Sequence, residues 1–445
     1  MNPILLTQLK SSWFKKQNEL IQKRHPRRYL HFDKPIPSLT KNICNQITNS
    51  KTIETHSFFP LLYKPQRNRI HKKDPVTKNK KVEEKIRPIN YPSHYDSLIY
   101  SWYTHQIEYF YEQRIEKANL GENVIAYRKL GKSNLDFALE VINFIKTLPE
   151  CATLALDING FYDNLDSAIL KRVWKDNFNF SDLPKDHYAV FKSLIRYSYV
   201  RSREVRKMKK TAKDNKVDFV LGSDTLKWLR ANNKIKQKKD TGIPQGTPIS
   251  CALSNLYMLD FDKAVSQKVS KLKGLYRRYS DDILIVCPDK NSLKELETFI
   301  KNKIKNLKLE IQDTKTERLF FSQNENTIKC INEENKPSYL QYLGVVFDGK
   351  NNSLRHKGYA RFERKMKNAI IRKLVQSREL KIPFFKRKIY EHYSSLGKQN
   401  YIKYAEKASE RLSSNLIKKQ VNPARIMKKI NKKISKEELR IKSSM

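Results

Sequence analysis

Acidic residues are in short supply: 46 Asp and Glu stand against 90 Lys and Arg, a formal charge of +44 over 445 residues. That imbalance exceeds what solubility needs and implies a polyanionic partner, nucleic acid being the simplest, whose binding weakens steeply with salt. Cysteine is also scarce. Cys44, Cys151, Cys251, Cys287 and Cys330 show no paired spacing, which argues against a disulfide framework and for reduced thiols in a cytoplasmic setting. No long apolar run occurs, and charged residues fall within the first fifteen positions, so neither a signal peptide nor a membrane span is expected. No internal repeat is evident, which excludes a solenoid. At this length the chain has room for about two or three lobes around a substantial core.

What is present centres on Tyr279-Ser280-Asp281-Asp282, which follows Tyr276-Arg277-Arg278 and precedes the apolar run Ile283-Leu284-Ile285-Val286. The pattern reads as two short strands joined by a tight acidic turn. Neighbouring carboxylates repel one another, and a divalent cation between them relieves that repulsion. Two such cations are what phosphoryl transfer to a polynucleotide end requires. A solvated Ser-Asp-Asp turn is the alternative reading of these residues alone, since both types are common in turns.

A third carboxylate lies upstream in Thr153-Leu154-Ala155-Leu156-Asp157-Ile158. Strand alternation puts Thr153, Ala155 and Asp157 on one face and Leu154, Leu156 and Ile158 on the other. The first face is lined by small residues and leaves room for a ligand; the leucine face reads as core. Between these acids stands Thr241-Gly242-Ile243-Pro244-Gln245-Gly246-Thr247-Pro248, followed by Ile249, Leu253, Leu256, Tyr257, Phe261 and Val265 at helical spacing. Thr247 is suited to cap that helix, with Pro248 at its first position. The two glycines allow close backbone approach and Gln245 offers an amide, although a plain Gly-Pro connection has the same local appearance.

In this order the pieces resemble the palm of a reverse transcriptase. Lys308-Leu309-Glu310-Ile311 through Lys315-Thr316 is similar to the fourth palm motif of that family, and Tyr342-Leu343-Gly344-Val345 to its primer-grip segment. Lys85-Ile86-Arg87-Pro88-Ile89 resembles the fingers strand that grips an incoming triphosphate. Three further segments, Asp96-Ser97-Leu98-Ile99-Tyr100, Ala126-Tyr127-Arg128-Lys129 and Leu343 to Gly349, resemble the bacterial reverse transcriptases of abortive infection and phage defence, with retron enzymes as near neighbours. Some members of the abortive-infection branch lack the Gln-Gly loop and polymerise without a template. This chain keeps Gln245-Gly246, which favours templated synthesis.

The resemblance implies that Asp157, Asp281, Asp282 and the Ile158 carbonyl hold two Mg2+ ions. It implies that Arg87 and Lys85 clamp the phosphates of a deoxynucleoside triphosphate, and that Lys315 protonates the departing pyrophosphate. Gln245 and Gly246 belong to the nucleotide-binding set. Tyr162, five residues after Asp157, stands where the family carries a bulky aromatic that collides with a ribose 2′-hydroxyl, so deoxynucleotides are expected. Each base also has a plainer reading, a solvated surface charge, and the aromatic a plainer one, packing beneath the site.

Outside these motifs, Arg201 to Lys239 is a basic block holding Arg203, Arg206, Lys207, Lys209, Lys210, Lys236, Lys238 and Lys239, interrupted by Phe219 and Trp228. It is either a solvated face or an RNA contact with aromatic stacking platforms. After Asp348 the residues Tyr359, Phe362, Met366, Ile370 and Leu374 recur on one helical face, as in a thumb lying along a primer-template duplex. Pro383 interrupts the pattern. Tyr390, Tyr393, Tyr401 and Tyr404 follow, with tyrosines at these spacings expected in the core, and the Lys-rich stretch from Pro423 to Met445 is expected to order on RNA. No Cys and His cluster for an intron-type endonuclease and no evident acidic set for an RNase H stand in this region. Phe58 to Tyr63 reads as a strand or a buried loop, and His71 to Pro75 as a turn.

The expected fold is α+β, a right-hand polymerase whose antiparallel palm sheet is backed by helices. The expected divisions are an N-terminal extension at 1–78, fingers at 79–148, a palm at 149–348 carrying a basic insertion at 201–240, and a helical thumb with a basic C-terminal region at 349–445. The expected partners are a structured noncoding RNA, an RNA/DNA duplex and deoxynucleoside triphosphates, with no membrane; a partner protein or a homo-oligomer is left open. The expected function is RNA-directed DNA synthesis in antiphage defence. The alternatives are a retron-like or intron-derived mobile-element enzyme, an untemplated DNA polymerase, and an inactive RNA-binding protein.

Overall fold

The computed structural model describes residues 2–24, 29–73, 79–214, 222–238, 241–324, 327–398 and 400–443. In chain order the strands among these are β1 (Leu61–Lys73), β2 (Lys80–Tyr91), β3 (Glu150–Asp157), β4 (Ser198–Arg201), β5 (Ile235–Gln237), β6 (Leu275–Tyr279), β7 (Asp282–Cys287), β8 (Glu317–Asn324), β9 (Thr327–Asn332), β10 (Leu340–Tyr342), β11 (Val345–Phe347) and β12 (Asn352–Leu354). The central sheet has the order β6-β7-β3-β8-β9 and is antiparallel throughout.

Both faces of this sheet are covered, and the period-2 alternation of β7 shows how. Ile283, Ile285 and Cys287 enter a core shared with the helices His94–Lys117, Ser250–Tyr257, Leu259–Lys271 and Lys290–Asn306. Leu284 and Val286 enter a second core with the helices Asn134–Lys146, His356–Glu379, Tyr401–Arg411 and Pro423–Ser443. Burying one such side chain fully is worth about 1.5–3 kcal/mol relative to exposure, so the sheet is held rigidly from two sides. The resulting right hand, with its antiparallel palm sheet backed by helices, is the expected fold.

Several local expectations need correction. The Asp157 face of β3 is not open along its length: Cys151 lies in the second core and Thr153 is buried, and only the end carrying Asp157 escapes cover. The helical run after the Pro-Gln-Gly loop is two helices parted at Met258, and its first cap is Ile249; Thr247 instead pairs its hydroxyl with Ser250 Oγ at 2.6 Å. β1 pairs with β2 across the boundary expected at residue 78, so the segment from Leu61 belongs to the fingers sheet and not to a separate extension. The block expected as a palm insertion joins the same sheet, whose order is β2-β1-β4-β5, because β4 pairs in parallel with β1 and β5 pairs with β4. Phe219 and Lys239 lie outside the described residues, as do Asp74 and Pro75 of the expected turn.

The C-terminal stretch forms the helix Pro423–Ser443. Ile426, Ile430 and Ile434, four residues apart, are buried in the second core opposite Phe362, Met366, Ile370 and Leu374 of the helix His356–Glu379. That apolar stripe, hidden among lysines, supplies the burial that a disordered tail lacks. Among the described residues no helix is long and apolar enough to cross a membrane.

Candidate active site

The carboxylates meet at one end of the palm sheet. Asp157, the last residue of β3, is the cross-strand partner of Asp282, the first residue of β7. Both point to the same face, since directly opposed residues of an antiparallel pair do so. Tyr279 pairs with Asp282, leaving Ser280 and Asp281 as a two-residue turn, and Ser280 takes a left-handed backbone with φ of 61° where such loops ordinarily take glycine. Ile158 N–H donates to the Asp281 carbonyl at 3.1 Å, locking the turn to the end of β3.

The electrostatics are unfavourable for three anions. Although part of Asp282 faces solvent, the protein mass around it, then Asp281 and Asp157, push its carboxyl up to about 6. Asp281 is raised as well, chiefly by burial and then by Asp157. Lys315, in the short turn Asp313–Lys315, donates from Nζ to Asp157 Oδ1 at 2.6 Å, and Gln312 N–H donates to the Asp157 carbonyl at 2.8 Å. The segment of Gln312 and Lys315 therefore lies beside the strand acid. Among the described residues no group of three or more His, Cys, Asp or Glu side chains forms a ready-made metal shell. The donor set nevertheless suits a hard cation: carboxylate oxygens only, mutually repelling, with an ammonium group already drawn to one of them.

The remaining predicted residues fall on three sides. Lys85 and Arg87 are exposed on β2, two residues apart and hence on one face, opposite Asn68 and Gln66 of β1. Lys357, exposed at the start of the helix His356–Glu379, has its ammonium pKa lowered by partial loss of hydration and then by the nearby charges of Arg355, Arg361, Lys85 and Arg87, so cations from fingers and thumb gather in one region. The charge of Arg355 slightly offsets the rise at Asp282, which places that region within electrostatic reach of the acids.

Gly246 lies against β2: Asn90 N–H donates to the Gln245 carbonyl at 2.7 Å, and a Cβ on Gly246, whose φ is 112°, would stand 2.6 Å from the Asn90 carbonyl oxygen. Gly242, with φ of 73°, is pressed in the same way on the Asp163 carbonyl at 2.4 Å, and Ile243 N–H donates to the Tyr162 carbonyl at 2.8 Å. The Pro-Gln-Gly loop thus ties the fingers strand to the segment carrying Tyr162. The Tyr162 hydroxyl donates to Tyr127 Oη at 3.2 Å and lies 3.4 Å from Ser254 Oγ.

Sequence reasoning missed the support under the hairpin. Arg278 is fully buried; its Nε and Nη2 donate to Asp262 Oδ1 and Oδ2 at 2.7 and 2.6 Å, and its Nη1 donates to the Ser280 carbonyl at 3.0 Å and to Asn255 Oδ1 at 3.3 Å. Tyr276 adds a hydrogen bond to Asp262 at 2.6 Å. The signal was present: Asp262 interrupts the apolar stripe of Phe261, Val265 and Val269, and Arg278 shares strand parity with the buried Tyr276.

The family model for reverse transcriptase (RNA-dependent DNA polymerase) matches residues 70–347, more than half of the chain. No curated protein matches. Among solved structures, apo telomerase from Candida tropicalis truncated from its C-terminal domain is 14% identical with a TM-score of 0.40, over 66% of this chain and 57% of that one. Telomerase from Candida albicans in complex with a TWJ fragment of telomeric RNA is 12% identical with a TM-score of 0.38, over 68% and 46%. The chain thus spans about half the length of these telomerase chains. On the match of its central 278 residues, 70–347, the chain belongs to the reverse transcriptase (RNA-dependent DNA polymerase) family, nucleotidyltransferases that generally use divalent metal ions.

Proposed function

We propose that this RNA-directed DNA polymerase adds deoxynucleotides to a 3′-hydroxyl at the end of the palm sheet, copying a structured noncoding RNA in bacterial antiphage defence. The observation that carries the catalytic reading is the register that opposes Asp157 to Asp282 with Asp281 in the adjoining turn, a concentration of negative charge that burial makes costly. Asp157, Asp281, Asp282 and the Ile158 carbonyl would hold two Mg2+ ions, which supply the positive charge that stabilises attacking and leaving oxygens in phosphoryl transfer.

The protein's own residues do the rest. Arg87 and Lys85 bind and orient the triphosphate, Arg87 through its planar paired donors. Gln245 and Gly246 hold the templated nucleotide against the fingers strand. The Tyr162 ring excludes a 2′-hydroxyl. Lys315, at hydrogen-bond distance from Asp157, neutralises that carboxylate and exchanges it for the pyrophosphate oxygens, to which it passes a proton.

The defence role and the noncoding RNA rest on the resemblance of Asp96 to Tyr100, Ala126 to Lys129 and Leu343 to Gly349 to the defence-associated branch. Primer extension on a defined RNA template tests the chemistry. The expected product is DNA whose sequence follows the template, lost on chelation; product of fixed composition on every template would overturn templated synthesis. Phage plating on hosts carrying the intact or Asp281→Ala chain tests the role, with protection confined to the intact chain expected and equal plaque counts contradicting it.

A further inference from the structure

Tyr127 occupies a position that its neighbours force upon it. Its backbone is left-handed, with φ of 63°, a conformation uncommon for a residue with a bulky side chain. Hydrogen bonds hold the two residues before it: Ile125 N–H donates to the Arg278 carbonyl at 3.0 Å, and Asn255 Nδ2 donates to the Ala126 carbonyl at 2.9 Å. Arg128 then anchors the following turn by donating to the Gly121 and Val124 carbonyls at 2.6 and 2.8 Å. Backbone strain that is over-determined in this way clusters at active sites and ligand clamps.

The consequence is where the side chain goes. Tyr127 is 46% exposed, so it is not core. Its hydroxyl accepts from the Tyr162 hydroxyl at 3.2 Å and donates to Ser280 Oγ at 3.3 Å. Ser280 is the first residue of the carboxylate turn, and its carbonyl is held by buried Arg278. A chain of three hydroxyls therefore runs from the aromatic after Asp157 to the turn carrying Asp281, and such chains polarise and stiffen one another.

We infer that Tyr127 is a positioning residue for sugar selection, its hydroxyl fixing the Tyr162 ring relative to the Ser280-Asp281 turn. Discrimination against a 2′-hydroxyl is then set by a fixed distance between gate and carboxylates, not by the bulk of Tyr162 alone. The inference rests on the gate reading of Tyr162 given above.

The test compares kcat/KM for one deoxynucleotide and its ribonucleotide on the same RNA template-primer, in the full chain and in Tyr127→Phe, Tyr162→Phe and the double variant. Each single change keeps the ring and removes one hydroxyl. The expected result is that either change lowers the deoxy-to-ribo ratio by about three- to tenfold, the range for one neutral hydrogen bond. The double variant is expected to lose no more than the larger single effect, since both act on one contact. A ratio unchanged in Tyr127→Phe, an equal loss on both sugars, or single effects that multiply in the double variant would each overturn the inference. A wild-type chain that uses both sugars alike would instead overturn the gate reading itself, and that outcome is visible before any variant is made.

Discussion

Two acidic groups lie on opposite sides of one hairpin and are treated in opposite ways. Beneath it, Asp262 is fully buried and receives two hydrogen bonds from Arg278 and one from Tyr276. At its tip, Asp281 and Asp282 face Asp157 with a single ammonium between the three, and both carboxyls are raised. The lower group is satisfied, and it fixes the geometry through the Arg278 bond to the Ser280 carbonyl. The upper group keeps a mutual repulsion that one ammonium does not cancel, and that repulsion is what a cation relieves. One strand pair thus separates rigidity from reactivity by the alternation of its side chains.

Removing the reactive side has the largest expected effect. Asp281→Ala or Asp282→Ala should lower polymerisation at least about a thousandfold, the several kcal/mol expected of a metal-ion contribution, while the thermal midpoint holds or rises; near-wild-type rates in either would break the comparison. The supporting side fails differently. Arg278→Ala strands a buried Asp262 and should cost about 3–5 kcal/mol of stability, read by urea unfolding; a loss below about 1 kcal/mol would show that the pair is not the pedestal described here. The fingers cation comes third: Arg87→Ala should lower kcat/KM for the deoxynucleotide by about tenfold or more, the lower range for a charge-assisted hydrogen bond, and an unchanged value would remove it from the triphosphate site.

The smallest effect sharpens the contrast by pH. Asp282 has a folded pKa of about 6 against an ordinary 3.8, so its ionisation opposes folding. The folded state binds more protons between these values, and stability attributable to this group falls as pH rises through about 4 to 6. Asp282→Asn removes that loss. Its melting temperature should match wild type near pH 4 and exceed it slightly above pH 6, the gap closing when Mg2+ is added to the wild type. A gap that is constant with pH would show that the carboxylate is not opposed by its neighbours.

The carboxylate constellation was legible because its parts are local: a two-residue acidic turn between alternating strands, and an acid at the end of an apolar run. The Gln245-Gly246 loop was legible for the same reason, although its docking partners, the Asn90 and Asp163 carbonyls, are distant in sequence. The thumb face of Phe362, Met366, Ile370 and Leu374 followed from helical spacing. What could not be read was pairing over long separation. β4 and β5 are short and polar, and only the pairing of β4 with β1 and of β5 with β4 assigns them to that sheet. The three buried isoleucines of the tail helix were not picked out because the lysines around them dominate its composition. Arg278 was lost inside a charged chain where one more arginine draws no notice, yet its guanidinium is wholly buried.

The most direct test of the account is to purify the chain from its native host with bound nucleic acid, add Mg2+ and labelled deoxynucleotides, and sequence both the retained RNA and the new DNA. DNA complementary to one retained RNA, absent from the Asp281→Ala preparation, is the predicted result and would identify the template. DNA unrelated to any retained RNA, or synthesis that survives Asp281→Ala, would contradict templated polymerisation at the three aspartates.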